Sequence, residues 1–147
     1  MVGTTFSHYK ILEKLGEGGM GVVYLARQPT LDRAVAIKVL PTELCVDHEY
    51  VDRFLREARA AAHLNHPNII QIFDAGYLEA DKIYFFVMEF VDGKNLGQIF
   101  REQGRLAERD ALRLMGQAAK GLAFAHRAGI VHRDVKPENL LLTSDGV

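Results

Sequence analysis

His132-Arg133-Asp134-Val135-Lys136-Pro137-Glu138-Asn139, followed by Leu140-Leu141-Leu142, is the stretch on which the reading of this chain turns. An acid, a lysine and an asparagine fall at intervals of two and three residues. Pro137 forbids a helix through the segment and favours an extended conformation at Lys136. The segment reads as an irregular loop that fixes three polar side chains and then enters an apolar strand. Reacting centres are often carried by such loops on a rigid scaffold. A polar turn before a strand would look the same locally, so the decision rests on the rest of the chain.

Immediately upstream, Glu108 to Ala128 predicts a long helix. Ala111, Met115, Ala118, Ala119, Leu122 and Ala125 form its apolar stripe, and Gly129 follows as a stop signal. Gly116 and Gly121 imply close packing against a further helix that these residues do not supply. Lys94 to Gln103 is weakly helical, lowered by Gly97. Ile69 to Phe73 and Ile83 to Phe90 read as strands, joined by a turn at Glu79 to Lys82. Met88-Glu89-Phe90-Val91-Asp92-Gly93 reads locally as a strand end running into an Asp-Gly turn.

Glu49 to Leu64 predicts an amphipathic helix. At about 100° per residue, Val51, Phe54, Ala58, Ala61 and Ala62 share one arc, with Asp52, Arg53, Arg56, Arg59 and His63 opposite. Glu57 falls inside the edge of the apolar arc, between Leu64 and Ala61. An acid there either finds a cationic partner or snorkels to water. Lys38 is the natural partner. It lies in the apolar strand Ala34 to Leu40, where an inward ammonium without a partner would be costly.

Near the N-terminus, a strand from Tyr9 to Leu15 precedes Gly16-Glu17-Gly18-Gly19-Met20-Gly21, and Val22-Val23-Tyr24-Leu25-Ala26 follows. The pattern G-x-G-x-x-G also serves dinucleotide-binding folds, but there the last glycine opens a helix. Here it opens a β-branched and aromatic run, which favours a strand. No Lys-Ser or Lys-Thr follows, which excludes a Walker loop. A glycine-rich hairpin remains.

These stretches together resemble the protein kinase family. The loop at 132–139 resembles the kinase catalytic loop, Val35-Ala36-Ile37-Lys38 matches the kinase third strand, and the glycine hairpin resembles the loop that covers the phosphates of ATP. Lys136-Pro137-Glu138 resembles the serine/threonine branch, and Gly16 to Tyr24 is most similar to the bacterial eukaryotic-like kinases. The resemblance covers nearly the whole chain.

It implies an α+β, protein-kinase-like fold. A small five-stranded antiparallel lobe with one helix would occupy 8–90, a hinge 91–94, and the start of a helical large lobe 95–147. It implies transfer of the ATP γ-phosphoryl to a Ser or Thr hydroxyl of a protein. Asp134 would be the base, Lys136 would neutralise the transferring phosphoryl, and Lys38, oriented by Glu57, would hold the α- and β-phosphates. Asn139 would ligate Mg²⁺. Nucleotide contacts would come from Gly16, Glu17, Gly18, Gly19, Met20 and Gly21. Leu15, Val23, Ala36 and Leu141 would sandwich the adenine. Met88 would be the gatekeeper, and Glu89 and Val91 would supply backbone contacts to the adenine. His132 is expected to be a packed structural histidine, and Arg133 to pair with phosphate on an activation loop.

No Asp-Phe-Gly, activation loop or Ala-Pro-Glu follows within these residues. The chain is therefore expected to be the N-terminal part of a kinase domain, inactive alone, with an unclosed hairpin after Leu140. The alternative is a natural short nucleotide-binding or regulatory module without catalysis.

Composition agrees with an ordinary globular chain: 147 residues, 48% hydrophobic, 25% charged, net charge −1. The absence of a basic excess argues against nucleic acid as a partner. Cys45 is the only cysteine, so an internal disulfide and a cysteine zinc site are excluded, and a reducing, cytoplasmic setting is expected. No apolar run reaches membrane-span length, and Met1 to Ser7 lacks the pattern of a signal peptide.

Overall fold

The computed structural model describes residues 2–18 and 21–147. The chain divides into two compact units, residues 1–63 with 71–90, and residues 64–70 with 91–147.

The first unit is built on an antiparallel sheet. Its strands are β1 (Thr5–Phe6), β2 (Tyr9–Gly18), β3 (Gly21–Gln28), β4 (Arg33–Val39), β5 (Ile72–Leu78) and β6 (Ile83–Glu89), in the order β1-β2-β3-β4-β6-β5. The five expected strands are there, and the two-residue β1 adds a sixth at the edge. β5 begins at Ile72, three residues later than the apolar run predicts. Ile69 is instead used in a turn, its N–H donating to the His66 carbonyl at 2.9 Å.

Strand alternation gives this sheet two different faces. One carries Phe6, Tyr9, Ile11, Ala26, Val35, Ile37, Val39, Ile83, Phe85 and Val87, a continuous buried apolar cluster. The other carries Phe86, onto which α1 (His48–Ala62) packs Val51, Phe54 and Ala58 together with Leu40. The spacing of those three helix residues is one stripe of a 3.6-residue period. The Phe54 and Phe86 rings lie 5.0 Å apart. Asp47 caps α1, its carboxylate accepting from the Glu49 N–H at 2.9 Å.

The second unit contains β7 (Gly93–Asn95), α2 (Leu96–Gln103), α3 (Glu108–Arg127) and β8 (Leu141–Thr143). Asn95 and Gln98 close a reciprocal capping box at the start of α2. That explains why a helix with weak propensity and an internal glycine forms there. Leu96, Ile99 and Leu114 make the small core of the unit, joined by Phe100, Leu106, Leu140 and Leu142.

β8, the strand that follows Leu140, pairs antiparallel with β7 on one edge, Leu142 opposite Lys94, and has no second neighbouring strand among the described residues. The apolar stripe on α3 follows the predicted one in part: Ala125 is buried and Ala111, Ala118 and Leu122 are half-buried, but Leu114 and Gly121 join the buried side, and Met115 and Ala119 are exposed. Gly121 does meet a close neighbour, but it is backbone rather than a helix. A Cβ at 121 would stand 2.8 Å from the Asn68 carbonyl oxygen, while Gly116 faces open space.

Candidate functional site

In the first unit, strand register collects the predicted residues on one face. Val23 lies opposite both Gly16 and Lys38, Lys38 opposite Phe86, and Ala36 opposite Met88. Directly opposed residues share a face, and so do positions two apart along a strand. Val23, Ala36, Lys38, Phe86 and Met88 therefore stand together on the face that also receives α1. Ala36 is buried, while Val23, Lys38 and Met88 are half-buried.

Lys38 Nζ lies 3.3 Å from Glu57 Oε1 and 3.4 Å from Oε2. The lysine is the more enclosed partner, with 19% of its side chain accessible against 49% for Glu57. Its ammonium also sits 5.5 Å from the Phe86 ring centroid, a cation–π contact that the sequence reading missed. The available signal was the alternation of Ile83 to Phe90, which puts Phe86 and Met88 on the face away from Phe85 and Val87.

Leu15, Gly16, Glu17 and Gly18 lie exposed along the end of β2, and the Lys14 ammonium bonds the Glu17 carboxylate. Gly18 pairs with Gly21, so the hairpin expected from the glycine pattern is present. Gly19 and Met20 lie outside the described residues. Gly21 has φ +146°, and a Cβ there would come 2.6 Å from the Val39 carbonyl oxygen. Only glycine fits that position without displacing β4. Glu89, at the end of β6, donates its N–H to the Gln71 carbonyl at 2.8 Å. Val91, half-buried, begins the longer segment of the second unit.

The second unit holds the loop at 132–139. Arg133 takes a left-handed conformation, φ 63°, which reverses the chain between His132 and Asp134. His132 Nδ1 then accepts the Asp134 N–H at 3.3 Å. His132 is exposed rather than packed, and its work is to hold the backbone of the residue two places on. Lys136 is extended, φ −154° and ψ 161°, as the following proline requires. Pro137 opens a single 3₁₀ turn, Pro137–Asn139, at the position where its missing N–H costs nothing.

These turns bring three polar groups together. Lys136 Nζ is 3.0 Å from Asp134 Oδ2. Asn139 Nδ2 donates to the Asp134 carbonyl at 2.8 Å and to its Oδ2 at 3.0 Å. The hydrogen bonds from Lys136 and then Asn139 hold the Asp134 carboxyl below the usual aspartate range. With Nδ2 so engaged, Asn139 Oδ1 has no donor among the described residues. Leu141 continues into β8, 40% exposed.

Among the described residues no cluster of three or more His, Cys, Asp or Glu could hold a metal by itself. Asn139 Oδ1, a neutral oxygen with no donor among the described residues, suits Mg²⁺, a hard cation that keeps several waters and binds through few protein oxygens plus phosphates. No helix among the described residues is long and apolar enough to cross a membrane.

The sequence model of the protein kinase domain matches residues 9–147. Serine/threonine-protein kinase PrkC of Bacillus subtilis is 45% identical over 147 residues, covering 99% of this chain and 22% of PrkC. Serine/threonine-protein kinase PknA of Mycobacterium tuberculosis is 42% identical, covering 99% of this chain and 35% of PknA. This chain thus spans about a fifth to a third of the length of those relatives. The crystal structure of the M. tuberculosis PknI kinase domain superposes with a TM-score of 0.85 at 34% identity, over 99% of this chain and 58% of that one. With the glycine hairpin, the Lys38–Glu57 pair and the Asp134–Asn139 loop each formed, the chain belongs to the protein kinase family, and it shares the eukaryotic-like fold of these bacterial serine/threonine kinases.

Proposed function

We propose that this chain carries the nucleotide-binding and phosphoryl-transfer residues of an ATP-dependent serine/threonine protein kinase acting on protein hydroxyls. The observation that carries the reading is the Asp134–Lys136–Asn139 constellation, an ionised carboxylate with a cation and an amide on one oxygen. Phosphoryl transfer asks the protein for positioning and electrostatics more than for covalent chemistry. A carboxylate held low in pKa is a weak base, so Asp134 orients the incoming hydroxyl and takes its proton as the new O–P bond forms. Lys136 balances charge on the transferring group. Lys38, steadied by Glu57, binds the α- and β-phosphates. The glycine hairpin offers backbone N–H groups that approach the phosphates without Cβ atoms in the way. Leu15, Val23, Ala36 and Leu141 enclose the adenine, with Met88, Glu89 and Val91 along its edge.

Mg²⁺, when bound with the phosphates, neutralises their charge, and Asn139 Oδ1 would hold it. These 147 residues contain no Asp-Phe-Gly to supply the second ligand that the kinase mechanism uses. Residues 1–147 by themselves are therefore proposed to bind nucleotide without transferring phosphate. A cytoplasmic setting belongs to the same proposal, as does a protein substrate bearing Ser or Thr.

A chimera tests this directly. Residues 1–147 would replace the matching part of the PknI kinase domain, and [γ-³²P]ATP would report transfer to a generic protein acceptor. Transfer that disappears in Asp134→Asn supports the proposal; transfer unaffected by that change would remove the loop from the site.

A further inference from the structure

The face of α3 that runs through Arg113, Gln117, Gly121 and Phe124 is covered by chain segments, not by a helix. One segment is His66 to Asn68. The His66 ring lies 5.1 Å from the Phe124 ring, and the Asn68 backbone crosses at Gly121. The other is the turn after β8. Gln117 touches both. Its Oε1 accepts from Asn68 Nδ2 at 3.1 Å, and its Nε2 donates to the Gly146 carbonyl at 2.9 Å.

We propose that Gln117 is a positioning residue for the Asp134–Asn139 loop, its carboxamide pinning the turn after β8 while Asn68 holds the other end of the amide. The functional meaning rests on the phosphoryl-transfer reading above; the geometry does not. A carboxamide has one acceptor end and one donor end. The Gly146 carbonyl can only accept, so Nε2 must face it, and Oε1 is left to face a donor, which Asn68 Nδ2 supplies. A flipped amide would set two acceptors against each other at Gly146. Gly121, one helical turn from Gln117, lets the Asn68 backbone come close enough for this bond.

The pinned turn is rigid in itself. Thr143 N–H donates to the Val147 carbonyl at 2.9 Å, Gly146 N–H to the Thr143 carbonyl at 3.1 Å, and Val147 N–H to Thr143 Oγ1 at 3.0 Å. Holding Gly146 therefore holds Thr143, the last residue of β8. That strand has only three residues and begins two after Asn139. So short a strand has few ladder bonds of its own, and an anchor at its far end fixes where its near end delivers Asn139. Arg113 Nη1 also donates to the Gly146 carbonyl, a second tether from one turn earlier on α3.

The test uses isotope-labelled residues 1–147, with Gln117→Glu, Gln117→Met and Asn68→Ala, and Met115→Gln as a control on the exposed side of α3. Gln117→Glu replaces the donor with an acceptor and attracts Arg113 away from Gly146. Gln117→Met keeps the volume and serves if the charged variant does not fold. Amide exchange at Thr143 is expected to rise at least tenfold in all three test variants. The shift difference between the two Asn139 Nδ2 protons, set by their unequal bonding to Asp134, is expected to fall by half or more. The control should move neither. Faster exchange at Thr143 with unchanged Asn139 resonances would overturn the positioning role. An Asn68→Ala variant that leaves Thr143 exchange unchanged would overturn the claim that Asn68 holds the amide in place. These readouts need no nucleotide, so loss of transfer in the chimera and loss of the clamp are separable results.

Discussion

Lys38 and Glu57 meet at 3.3 Å across 19 residues of chain, one on β4 and the other on α1. The pair forms because α1 packs on the sheet through Val51, Phe54 and Ala58, which turns the Glu57 edge of the helix towards β4. With Glu57 half exposed, the pair adds little to stability. Its value is to hold the Lys38 ammonium in one place on the face shared with Val23 and Ala36.

Lys38→Met should therefore act on chemistry more than on folding. In the PknI chimera, transfer is expected to fall by roughly 10²-fold or more, the scale for removing one group that stabilises transition-state charge. The unfolding midpoint should shift little. Steady-state kinetics and a thermal melt on the same sample check both, and unchanged turnover would take Lys38 out of the site.

Asp134→Asn separates binding from catalysis. The adenine and phosphate contacts proposed above lie on other residues, so nucleotide affinity should be retained. Turnover in the chimera should drop on the order of 10²–10⁴-fold, the range for losing a positioned proton acceptor. Titration calorimetry with a non-hydrolysable ATP analogue, beside the transfer assay, distinguishes the outcomes. Equal losses of affinity and turnover would assign Asp134 a structural role.

The Asp134 carboxyl also gives a pH signature. Its bonds to Lys136 and Asn139 lower its midpoint in the folded state, so the folded chain favours the ionised form. Any stability gained this way is complete above the ordinary aspartate range and is lost as pH falls through the lowered midpoint. Lys136→Met should move the carboxyl midpoint upward the most, and Asn139→Ala should do so to a smaller extent. A carbon-detected titration of Asp134 measures this; midpoints equal to that of the wild type would disprove the bonding described here.

Phe54 is the fully buried anchor of α1. Phe54→Ala should cost roughly 3–5 kcal/mol, the usual range for emptying a packed aromatic site. Because the same contact aims Glu57, the Lys38–Glu57 pair should loosen with it, visible as faster exchange of α1 amides in advance of global unfolding. Retained stability in a denaturant titration would mean that α1 is not held by this cluster.

Gly21→Ala tests the glycine hairpin by backbone alone. With φ +146° and the Val39 carbonyl oxygen 2.6 Å from the new methyl, the change should destabilise the chain by about 1–3 kcal/mol. Gly16→Ala, where a methyl meets open space, should cost far less. Equal melting shifts for the two variants would contradict the close approach at Gly21.

Much of this protein was legible in one dimension. Strand and helix types followed from periodicity, because a period of two and a period of 3.6 are local properties of the chain. The loop at 132–139 was legible because proline restricts its own backbone and that of its neighbour, whatever surrounds them. Glu57 was picked out by its angle on the helix and Lys38 by its apolar strand, each from a few neighbouring residues.

What stayed hidden depends on contacts between residues far apart in sequence. The late start of β5 is set by the turn in which Ile69 bonds His66. The full buried side of α3 needed the fold, because its apolar pattern alone cannot say that backbone at Asn68 covers Gly121. Phe86 beneath Lys38 needed the register of β4 against β6, and the partner of β8 needed the fold to bring Gly93–Asn95 alongside it. The left-handed turn at Arg133 and the His132 bond that it creates carry no residue-type signal, because arginine, unlike glycine, asparagine or aspartate, gives no cue to positive φ. Residue types and periodicity thus determined the elements and the chemistry-bearing side chains. Tertiary packing decided which faces are covered and which side chains touch, because burial and hydrogen bonding are settled only when distant segments meet.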